Sequence, residues 1–358
     1  LDPQVKMPTA GEEFVPLRVV AYLDPDEVRT LTKVGLNVTP INDISLEAPT
    51  DWPTYDGYVT RWENLADAYP QFVRMINIGS SVQGRTIWCL KISDNPDLQE
   101  NEPEVKFSAA IHGDELTGIE LTTRLAELLV GGVGSDSRLT GLVESLEIWL
   151  CPIHNPDGYV AGTRNNANGV NLNRNFPDPI LGEEDTPVGR EPENVAFMEL
   201  GYTNRFTLGI NYHGGALVVN YPWDNILDES VPVYAPDDEL FYDLSLGYAE
   251  LNPDIYDSQT FDFGVTVGWE WYAVAGGMQD WAYNWRDELH VTIEVSTDKN
   301  PNFSLMDNYW DVNREAMLVW MEQALKGVTG LVTDQMSGLP LDAQITIDEN
   351  DRTLRTDA

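Results

Sequence analysis

His112 and Glu115 are separated by two residues at the point where a strand should give way to a helix, and His213 follows a later strand. The mostly apolar stretch 104–111 predicts a buried strand, and an amphipathic pattern from about Leu116 predicts a helix. Two imidazoles and one carboxylate are the ligands of a catalytic zinc that keeps a fourth position open. A His-x-x-Glu pair alone also occurs at solvated helix starts, where Glu favours the positive end of the helix dipole. Because the chain has only four histidines, two of them at strand ends favour a metal site.

A turn follows the strand expected over 146–153. Its sequence, Asn155-Pro156-Asp157-Gly158, is typical of a turn in its own right. A carboxylate there could also accept a hydrogen bond from a ligating imidazole and fix its tautomer. We therefore expect Asp157 to orient one of the two histidines.

Arg164, Asn173 and Arg174 lie in a loop rich in Asn and Gly. Arginine is scarce here, since the chain has 21 Lys and Arg against 59 Asp and Glu. Two Arg with few acidic neighbours indicate anion binding, because a guanidinium presents a planar fork to a carboxylate and Asn donates a further hydrogen bond. The alternative is a surface loop whose Asn and Gly serve turn geometry.

Glu294 interrupts the apolar, β-branched run 289–296. A carboxylate in a mostly buried strand is costly unless it is paired or takes part in chemistry. The alternative is a Glu on the solvated face of an edge strand. The loop before this strand carries Tyr272 and a pair of glycines, Gly276 and Gly277, that favours a hinge.

The elements that must position these residues alternate between strands and helices, which predicts an α/β fold with helices on both faces of a sheet. In such sheets, sites form at the carboxyl ends of strands, and His112, Asn155 and His213 all follow strands. The expected strands are 72–80, 86–93, 104–111, 146–153, 206–212, 216–221 and 289–296.

Together these tracts resemble the zinc metallocarboxypeptidases, and more narrowly the regulatory branch that includes carboxypeptidases N, E, M and D. The resemblance covers roughly residues 52–326 and implies a mixed parallel and antiparallel sheet of about eight strands with helices on both faces. The matching tracts occur in the family's order and are 84–96, 112–115, 155–159, 171–177, 212–224, 276–281 and 294–295.

The resemblance implies the chemistry of the matched positions. His112, Glu115 and His213 bind one zinc ion. Glu294 is the general base, and Arg164 polarises the scissile carbonyl. The implied reaction is hydrolysis of the C-terminal bond of a peptide or protein, in which zinc lowers the pKa of its water to about 7.

The resemblance also implies how substrate is held. Asn173 and Arg174 bind the terminal carboxylate, Tyr272 closes over the terminal residue, and Arg85 holds the peptide upstream. Asp224 and Gln279 match positions that line the specificity pocket. An acid at the position of Asp224 selects basic side chains in the regulatory branch, so release of Arg or Lys is expected; the alternative is a simple turn after a strand.

Three other functions remain as alternatives. One is a carboxypeptidase with a broad or hydrophobic preference. Another is a zinc amidohydrolase of small acylated amino acids or cell-wall peptides. Arg174, Tyr272 and the loop 276–281 disfavour it, because they resemble a site that binds the C-terminus of a peptide. The third is a silent binding protein, which the complete set of matched catalytic residues makes the weakest.

Both ends of the chain lie outside this resemblance or at its margin. Residues 17–41 predict a strand–helix–strand unit, within an N-terminal extension over 1–51. Residues 327–358 alternate as strand, turn and strand, and they resemble the start of the transthyretin-like β-sandwich of the regulatory branch. About thirty residues are too few for a sandwich, so a truncated domain is expected.

Composition limits the remaining possibilities. A net charge of −38 makes nucleic-acid binding untenable. The excess of acidic residues is typical of a protein from a salty habitat, and it could also steer cationic peptides toward the site. No apolar run is long enough to span a membrane, and a secreted or periplasmic, processed, monomeric protein is expected. Calcium has no support from an EF-hand-type loop.

The two cysteines, Cys89 and Cys151, both lie in apolar strands. Buried free thiols are the expectation for cysteines in such strands. A disulfide is the alternative, because the fold that the resemblance implies could make the two strands neighbours. Where vertebrate regulatory relatives carry a cysteine pair after the catalytic Glu, this chain has Ser296, Thr297 and Asp298.

Overall fold

The structure is a computed structural model that describes residues 32, 33, 35, 51–328, 330–347 and 352–356, with 347 and 352–355 described by backbone alone. Contacts divide the chain into two compact units, 1–45 and 46–358. Only three residues of the first unit are described, so the strand–helix–strand prediction for residues 17–41 lies outside the described residues. The predicted domain boundaries stay predictions.

One eight-stranded sheet forms the centre of the second unit, with the strand order β1-β2-β4-β3-β5-β8-β6-β7. Its strands are β1 (Val73–Ser80), β2 (Thr86–Ile92), β3 (Glu104–Ala109), β4 (Glu147–Cys151), β5 (Phe206–His213), β6 (Ala216–Tyr221), β7 (Val265–Val267) and β8 (Leu289–Ser296). The inner strands β4, β3, β5 and β8 run parallel, whereas β1, β2 and β6 pair antiparallel to their inner neighbours. The predicted mixed α/β sheet is confirmed.

Helices cover both faces of this sheet. Tyr58, Ile119, Phe241 and Trp320 belong to a buried cluster on one face, and Phe197 belongs to the cluster on the other. Within the described residues, no helix is long and apolar enough to cross a membrane. The helices are α1 (Tyr55–Ala68), α2 (Thr117–Gly132), α3 (Ser137–Val143), α4 (Pro156–Ala161), α5 (Pro192–Thr203), α6 (Asp238–Glu250), α7 (Pro253–Tyr256), α8 (Gly268–Trp271), α9 (Met278–Arg286) and α10 (Met306–Ala324), with 3₁₀ turns at Leu172–Arg174, Asp262–Gly264 and Phe303–Leu305.

The register of the parallel strands brings the predicted site residues to one edge. All six residues of β3 are buried, as expected for a strand covered on both faces. Ala109 at the end of β3 pairs with Tyr212 of β5, and the next residue of β5, His213, pairs with Glu294 of β8. The carboxyl ends of these strands therefore meet, and Glu294 lies on an inner strand rather than on the edge strand of the alternative interpretation.

The expectation of free thiols is wrong, because Cys89 and Cys151 form a disulfide. The antiparallel pairing of β2 with β4 sets Leu90 opposite Leu150, so the two cysteines also face each other, with Cα atoms 4.2 Å apart. Facing Cβ atoms of adjacent antiparallel strands lie within reach of a disulfide. The pairing depends on which strands are neighbours, and sequence spacing alone does not reveal that.

One strand of the sheet falls outside the predicted strands. The eighth strand, β7, has only three residues, too few to show a period-two pattern. In the C-terminal segment Thr333 pairs with Pro340, and β9 (Gln344–Ile347) pairs antiparallel with β10 (Arg352–Arg355). That this segment begins a transthyretin-like domain stays a prediction.

Candidate active site

The three predicted metal ligands converge on one point. Glu115 Oε2 lies 3.0 Å from His112 Nδ1 and 2.9 Å from His213 Nδ1. All three side chains are buried, with no more than 4% of each residue exposed. Their candidate ligand atoms lie within 4.8 Å of one another. Each imidazole thus turns the same nitrogen, Nδ1, toward the carboxylate.

Two asparagines that the sequence analysis did not single out occupy the opposite side of the imidazoles. His112 Nε2 lies 3.0 Å from Asn171 Oδ1, and His213 Nε2 lies 3.0 Å from the side-chain amide of Asn211. Asn171 Oδ1 can only accept, so it selects the His112 tautomer that carries hydrogen on Nε2 and leaves Nδ1 free for a metal. The amide of Asn211 contacts the ring of His213 from the same strand. Asn211 could have been found, since it stands two residues before His213 and therefore on the same face of β5.

The other carboxylate oxygen of Glu115 faces two cations. Oε1 accepts hydrogen bonds from Arg164 Nη1 at 2.7 Å and from Lys299 Nζ at 2.8 Å. Burial alone would raise the pKa of Glu115, but the adjacent His213 and His112 hold that pKa well below its usual range. Burial lowers the pKa of His112 to about 4. The cluster therefore presents a carboxylate and a neutral His112, the forms that bind a metal.

Close backbone packing fixes the loop that carries His112. Gly113 lies so near α4 that a Cβ added there would come within 2.1 Å of the carbonyl carbon of Gly158. The amide of Gly113 also donates to the carbonyl of Arg164 at 3.3 Å. Ala110, just before this loop, has a φ of 51°, a conformation that costs an alanine energy. Gly113 thus lets the loops that carry His112 and Arg164 pack closely against each other.

A cleft of about 300 Å³ opens beside the three ligands. Seven of the twelve predicted site residues line it, and the lining does not include Glu115, Arg85, Asp157, Arg174 and Gln279. Its lining residues are His112, Arg164, Asn173, His213, Asn220, Asp224, Trp271, Tyr272, Val274, Thr292 and Glu294.

Glu294 projects into this cleft from β8. The residue is 7% exposed, and its Oε2 has no hydrogen-bond partner among the described residues. Burial raises the pKa of Glu294 to about 7, although the neighbouring His213 opposes the shift. A carboxyl group with a pKa near neutrality both accepts and releases a proton readily, which suits a general base.

Of the residues predicted to bind the terminal residue, Asn173 and Tyr272 line the cleft and Arg174 does not. Asn173 Oδ1 accepts a hydrogen bond from the amide of Met278 at 2.9 Å, which ties the 3₁₀ turn to the start of α9. Arg174 Nη1 donates to the carbonyl of Asn173 at 2.6 Å. Tyr272 follows α8 and is 45% exposed. The charge of Arg174 acts on both Asp224 and Tyr272, so this cation lies near the cleft although it does not line it.

The two predicted pocket residues occupy different positions. Asp224 lines the cleft and is only 2% exposed. Burial raises its pKa to about 7, while the hydrogen bond from Asn220 and the charge of Arg174 lower it. Gln279 does not line the cleft; it is buried behind Asn220, to which its Nε2 donates at 3.1 Å.

The expectation that Asp157 holds a ligating imidazole is wrong. Its carboxylate accepts hydrogen bonds from Ser81 Oγ at 2.8 Å, from the amide of Gln83 at 2.8 Å and from Arg85 Nη1 at 2.6 Å. Asp157 points from α4 toward the β1–β2 turn, and Asn171 takes the place beside His112. Arg85 is bound to Asp157 and lies outside the cleft lining, with its side chain 30% exposed.

The residues present fit zinc. Two imidazole nitrogens and one carboxylate oxygen form a donor set that zinc prefers, and three protein ligands leave a fourth position for chemistry. The converging atoms lie at the cleft, so that position faces the space where a substrate would bind. The acceptor that Asn171 presents to His112 Nε2 supplies the outer support that such sites use.

Comparison with known proteins agrees with this geometry. A family model described as zinc carboxypeptidase, Peptidase M14, matches residues 58–316. Carboxypeptidase D of Anas platyrhynchos is 39% identical over 294 residues, which cover 76% of this chain and 21% of that protein. Carboxypeptidase M of Mus musculus is 35% identical over 310 residues, covering 81% of this chain and 69% of that protein. The chain thus spans about a fifth of the length of the carboxypeptidases D that it matches.

Solved structures share the fold. Carboxypeptidase A from Helicoverpa armigera gives a TM-score of 0.66 at 21% identity, covering 76% of this chain and 73% of that one. Thrombin activatable fibrinolysis inhibitor gives a TM-score of 0.66 at 19% identity, covering 81% of this chain and 78% of that one. At these identities the likeness is one of architecture.

Proposed function

The chain belongs to the zinc carboxypeptidase family, and we propose that it removes a single basic residue, Arg or Lys, from the C-terminus of peptides or proteins. The observation that carries the proposal is the convergence of His112, Glu115 and His213 at a cleft that also contains Arg164 and Glu294. When bound there, zinc supplies a Lewis acid that makes water nucleophilic near neutral pH.

Arg164 and Glu294 would contribute the other catalytic steps. Arg164, whose guanidinium already lies 2.7 Å from Glu115, would meet the negative charge that develops on the scissile carbonyl oxygen, usually the largest single contribution to catalysis. Glu294 would take a proton from the attacking water and return it to the leaving amine. One water is consumed, and the products are the shortened peptide and a free amino acid.

Binding of the chain end supports an exopeptidase. Asn173 and Arg174 would bind the substrate's terminal carboxylate, because a guanidinium beside an amide donor suits that planar anion. Tyr272 would close over the terminal residue. Asp224 would receive its basic side chain, since a buried carboxylate gains strongly from a cation. Arg85, engaged by Asp157, would contact the peptide further upstream.

The disulfide supports a location outside the reducing cytosol. Disulfides persist in secreted and periplasmic proteins and are rare where thiols are kept reduced. We therefore propose that the chain acts in an extracellular or periplasmic setting, on peptides that reach it there.

The test uses two peptides of identical sequence that end in Arg, one with a free carboxylate and one amidated. Zinc-loaded protein should release Arg from the first only, and a zinc chelator should abolish release until zinc is restored; mass spectrometry detects both products. Cleavage of the amidated peptide would contradict the proposed recognition of the free terminal carboxylate. Hydrolysis restricted to small acylated amino acids would favour an amidohydrolase, and no cleavage would favour a silent binder.

A further inference from the structure

Lys299 has no part in the proposed reaction, yet it contacts one of the three candidate metal ligands. Its Nζ lies 2.8 Å from Glu115 Oε1 and 4.0 Å from Asp114 Oδ2. The same oxygen of Glu115 accepts a second hydrogen bond, from Arg164 Nη1 at 2.7 Å. Glu115 is buried, whereas the side chains of Lys299 and Arg164 are 39% and 36% exposed. One oxygen of a buried carboxylate therefore receives two cations.

The two oxygens of Glu115 have separate partners. Oε2 lies 3.0 Å from His112 Nδ1 and 2.9 Å from His213 Nδ1, and it also accepts the amide of Gly214 at 3.3 Å. Oε2 is thus the atom that converges with the imidazole nitrogens, while the cations hold Oε1. Ligating carboxylates are commonly hydrogen-bonded in this way, and such partners influence how tightly a metal is held.

The segment that carries Lys299 is anchored to both sides of the metal site. The carbonyl of Lys299 accepts the amide of Leu116 at 2.9 Å, and the carbonyl of Ser296 accepts the amide of Gly215 at 2.7 Å. The stem of Lys299 also lies beside Gly215, where an added Cβ would come within 3.4 Å of Lys299 Cε. This segment therefore connects the start of α2 to the turn after β5. Backbone hydrogen bonds thus help to place the ammonium group beside Glu115.

Arg164 and Lys299 differ in what they face. Arg164 lines the cleft, whereas Lys299 does not. In the proposed reaction Arg164 binds the scissile carbonyl oxygen, which weakens its hydrogen bond to Glu115. A buried carboxylate oxygen that loses its donor is costly, but Glu115 Oε1 keeps the hydrogen bond from Lys299. The second cation therefore lowers the cost of moving Arg164 toward a substrate.

We propose that Lys299 is a positioning residue that holds Glu115 Oε1, so that Oε2 stays directed at the metal and Arg164 is free to bind the substrate. The inference rests on the proposed function, because Arg164 leaves Glu115 only for a scissile carbonyl. An ammonium group on a flexible stem suits this task, since its three donors can follow the carboxylate.

The first measurement is zinc affinity, by competition with a chelator. Lys299→Met keeps the length of the side chain and removes its charge, so zinc affinity should fall by about 10- to 100-fold. Lys299→Arg restores a charged donor and should bring the affinity back to within about threefold of the wild type. Lys326→Met is the matched control, because Lys326 is exposed and bonded to Gln323, and it should change nothing.

The second measurement is kcat and KM at saturating zinc, with a peptide ending in Arg. Lys299→Met should lower kcat by about tenfold, since Arg164 then stays bound to Glu115 and part of its contribution at the carbonyl oxygen is lost. KM should be nearly unchanged, because Lys299 does not line the cleft. Lys299→Arg should recover kcat together with zinc affinity.

Two results would overturn the inference. One is an unchanged or higher zinc affinity in Lys299→Met. The other is an equal loss in Lys299→Arg, because that loss would come from packing rather than from the charge. Failure of the proposed function gives a different result, namely wild-type protein that binds zinc but releases no residue from the peptide. The zinc affinities need no substrate, so they decide the role of Lys299 in that case too.

Discussion

His213 of β5 lies directly opposite Glu294 of β8 in a parallel ladder. This pairing joins a candidate metal ligand to the candidate general base through backbone hydrogen bonds rather than through a mobile loop. Both strands are inner strands of the sheet, so the separation of the two side chains is fixed by the most rigid part of the fold. Sites built on rigid elements hold reacting groups more accurately than sites built on loops.

Glu294→Gln should lower kcat by about 10²- to 10⁴-fold, the range of a lost general base. The amide keeps the shape of the side chain but cannot take a proton. Zinc content should stay near one ion per chain, because Glu294 is not among the converging ligands. Kinetics and metal analysis of the same preparation measure both quantities. A kcat equal to that of the wild type in zinc-loaded Glu294→Gln would refute the role of Glu294 as general base.

Asn171 should control how tightly zinc is held. Asn171→Ala removes the acceptor for His112 Nε2 and should weaken zinc binding by about 10- to 100-fold. Asn171→Asp keeps the acceptor, adds charge and should strengthen binding, because a carboxylate makes the imidazole a better ligand. Competition with a chelator measures the affinity. Asn165→Ala, in the same loop but bonded to the carbonyl of Gly169, should change nothing.

Asp224→Asn should remove the preference for basic residues. Truncating one member of a buried charge pair costs about 2–5 kcal/mol, so kcat/KM for a peptide ending in Arg should fall by about 30-fold or more. A peptide ending in Leu should be cleaved as well as before or better. Glu270→Gln neutralises an exposed acid and serves as the control. If Asp224→Asn keeps its Arg preference, another residue receives the side chain.

The disulfide should contribute strongly to stability. It closes a loop of 62 residues, for which the chain-entropy relation gives about 4 kcal/mol. The double variant Cys89→Ser/Cys151→Ser should therefore unfold at a lower urea concentration with a similar dependence on urea. Since the pair is away from the cleft, kcat at low temperature should be retained. Equal unfolding midpoints would show that the bond does not form in solution.

Stability should fall as pH rises through neutrality, in part because of Glu104. Burial, together with the neighbouring Glu147, raises the pKa of Glu104 to about 7 from an ordinary value of 4.5. The folded state therefore holds this proton more tightly than the unfolded state. The resulting stabilisation is fully present below pH 4.5 and is lost as pH rises toward and past 7. Urea titrations from pH 4 to 8 should give a shallower decline for Glu104→Gln, and identical slopes would exclude this cause.

The sequence contained enough to predict the sheet and most of the site. About half of the residues in β3, β5 and β8 are apolar, β-branched residues are frequent in β8, and both faces of these strands are covered. His112 and Glu115 follow β3, whereas His213 and Glu294 lie within β5 and β8. His112, Glu115, His213, Arg164 and Glu294 lie close together as the resemblance implied.

The remaining features depend on which elements become neighbours. The cysteines pair only because β2 lies beside β4, which no local pattern encodes. Asp157 has the right chemistry for an imidazole partner, but α4 directs it toward Arg85. Asn171 stood in a loop where Asn was interpreted as a turn former or anion binder. In each case the residue type was informative and the partner was set by tertiary contacts.

The most direct test of the central claim is release of the terminal residue from a matched peptide series ending in Arg, Lys, Phe, Leu and Glu, with and without a zinc chelator. We expect Arg and Lys to be released fastest and the other terminal residues much more slowly. Chelation of zinc should abolish release from every peptide. Chelator-insensitive release would contradict the zinc site, and chelator-sensitive release that favours Phe or Leu would contradict the role of Asp224.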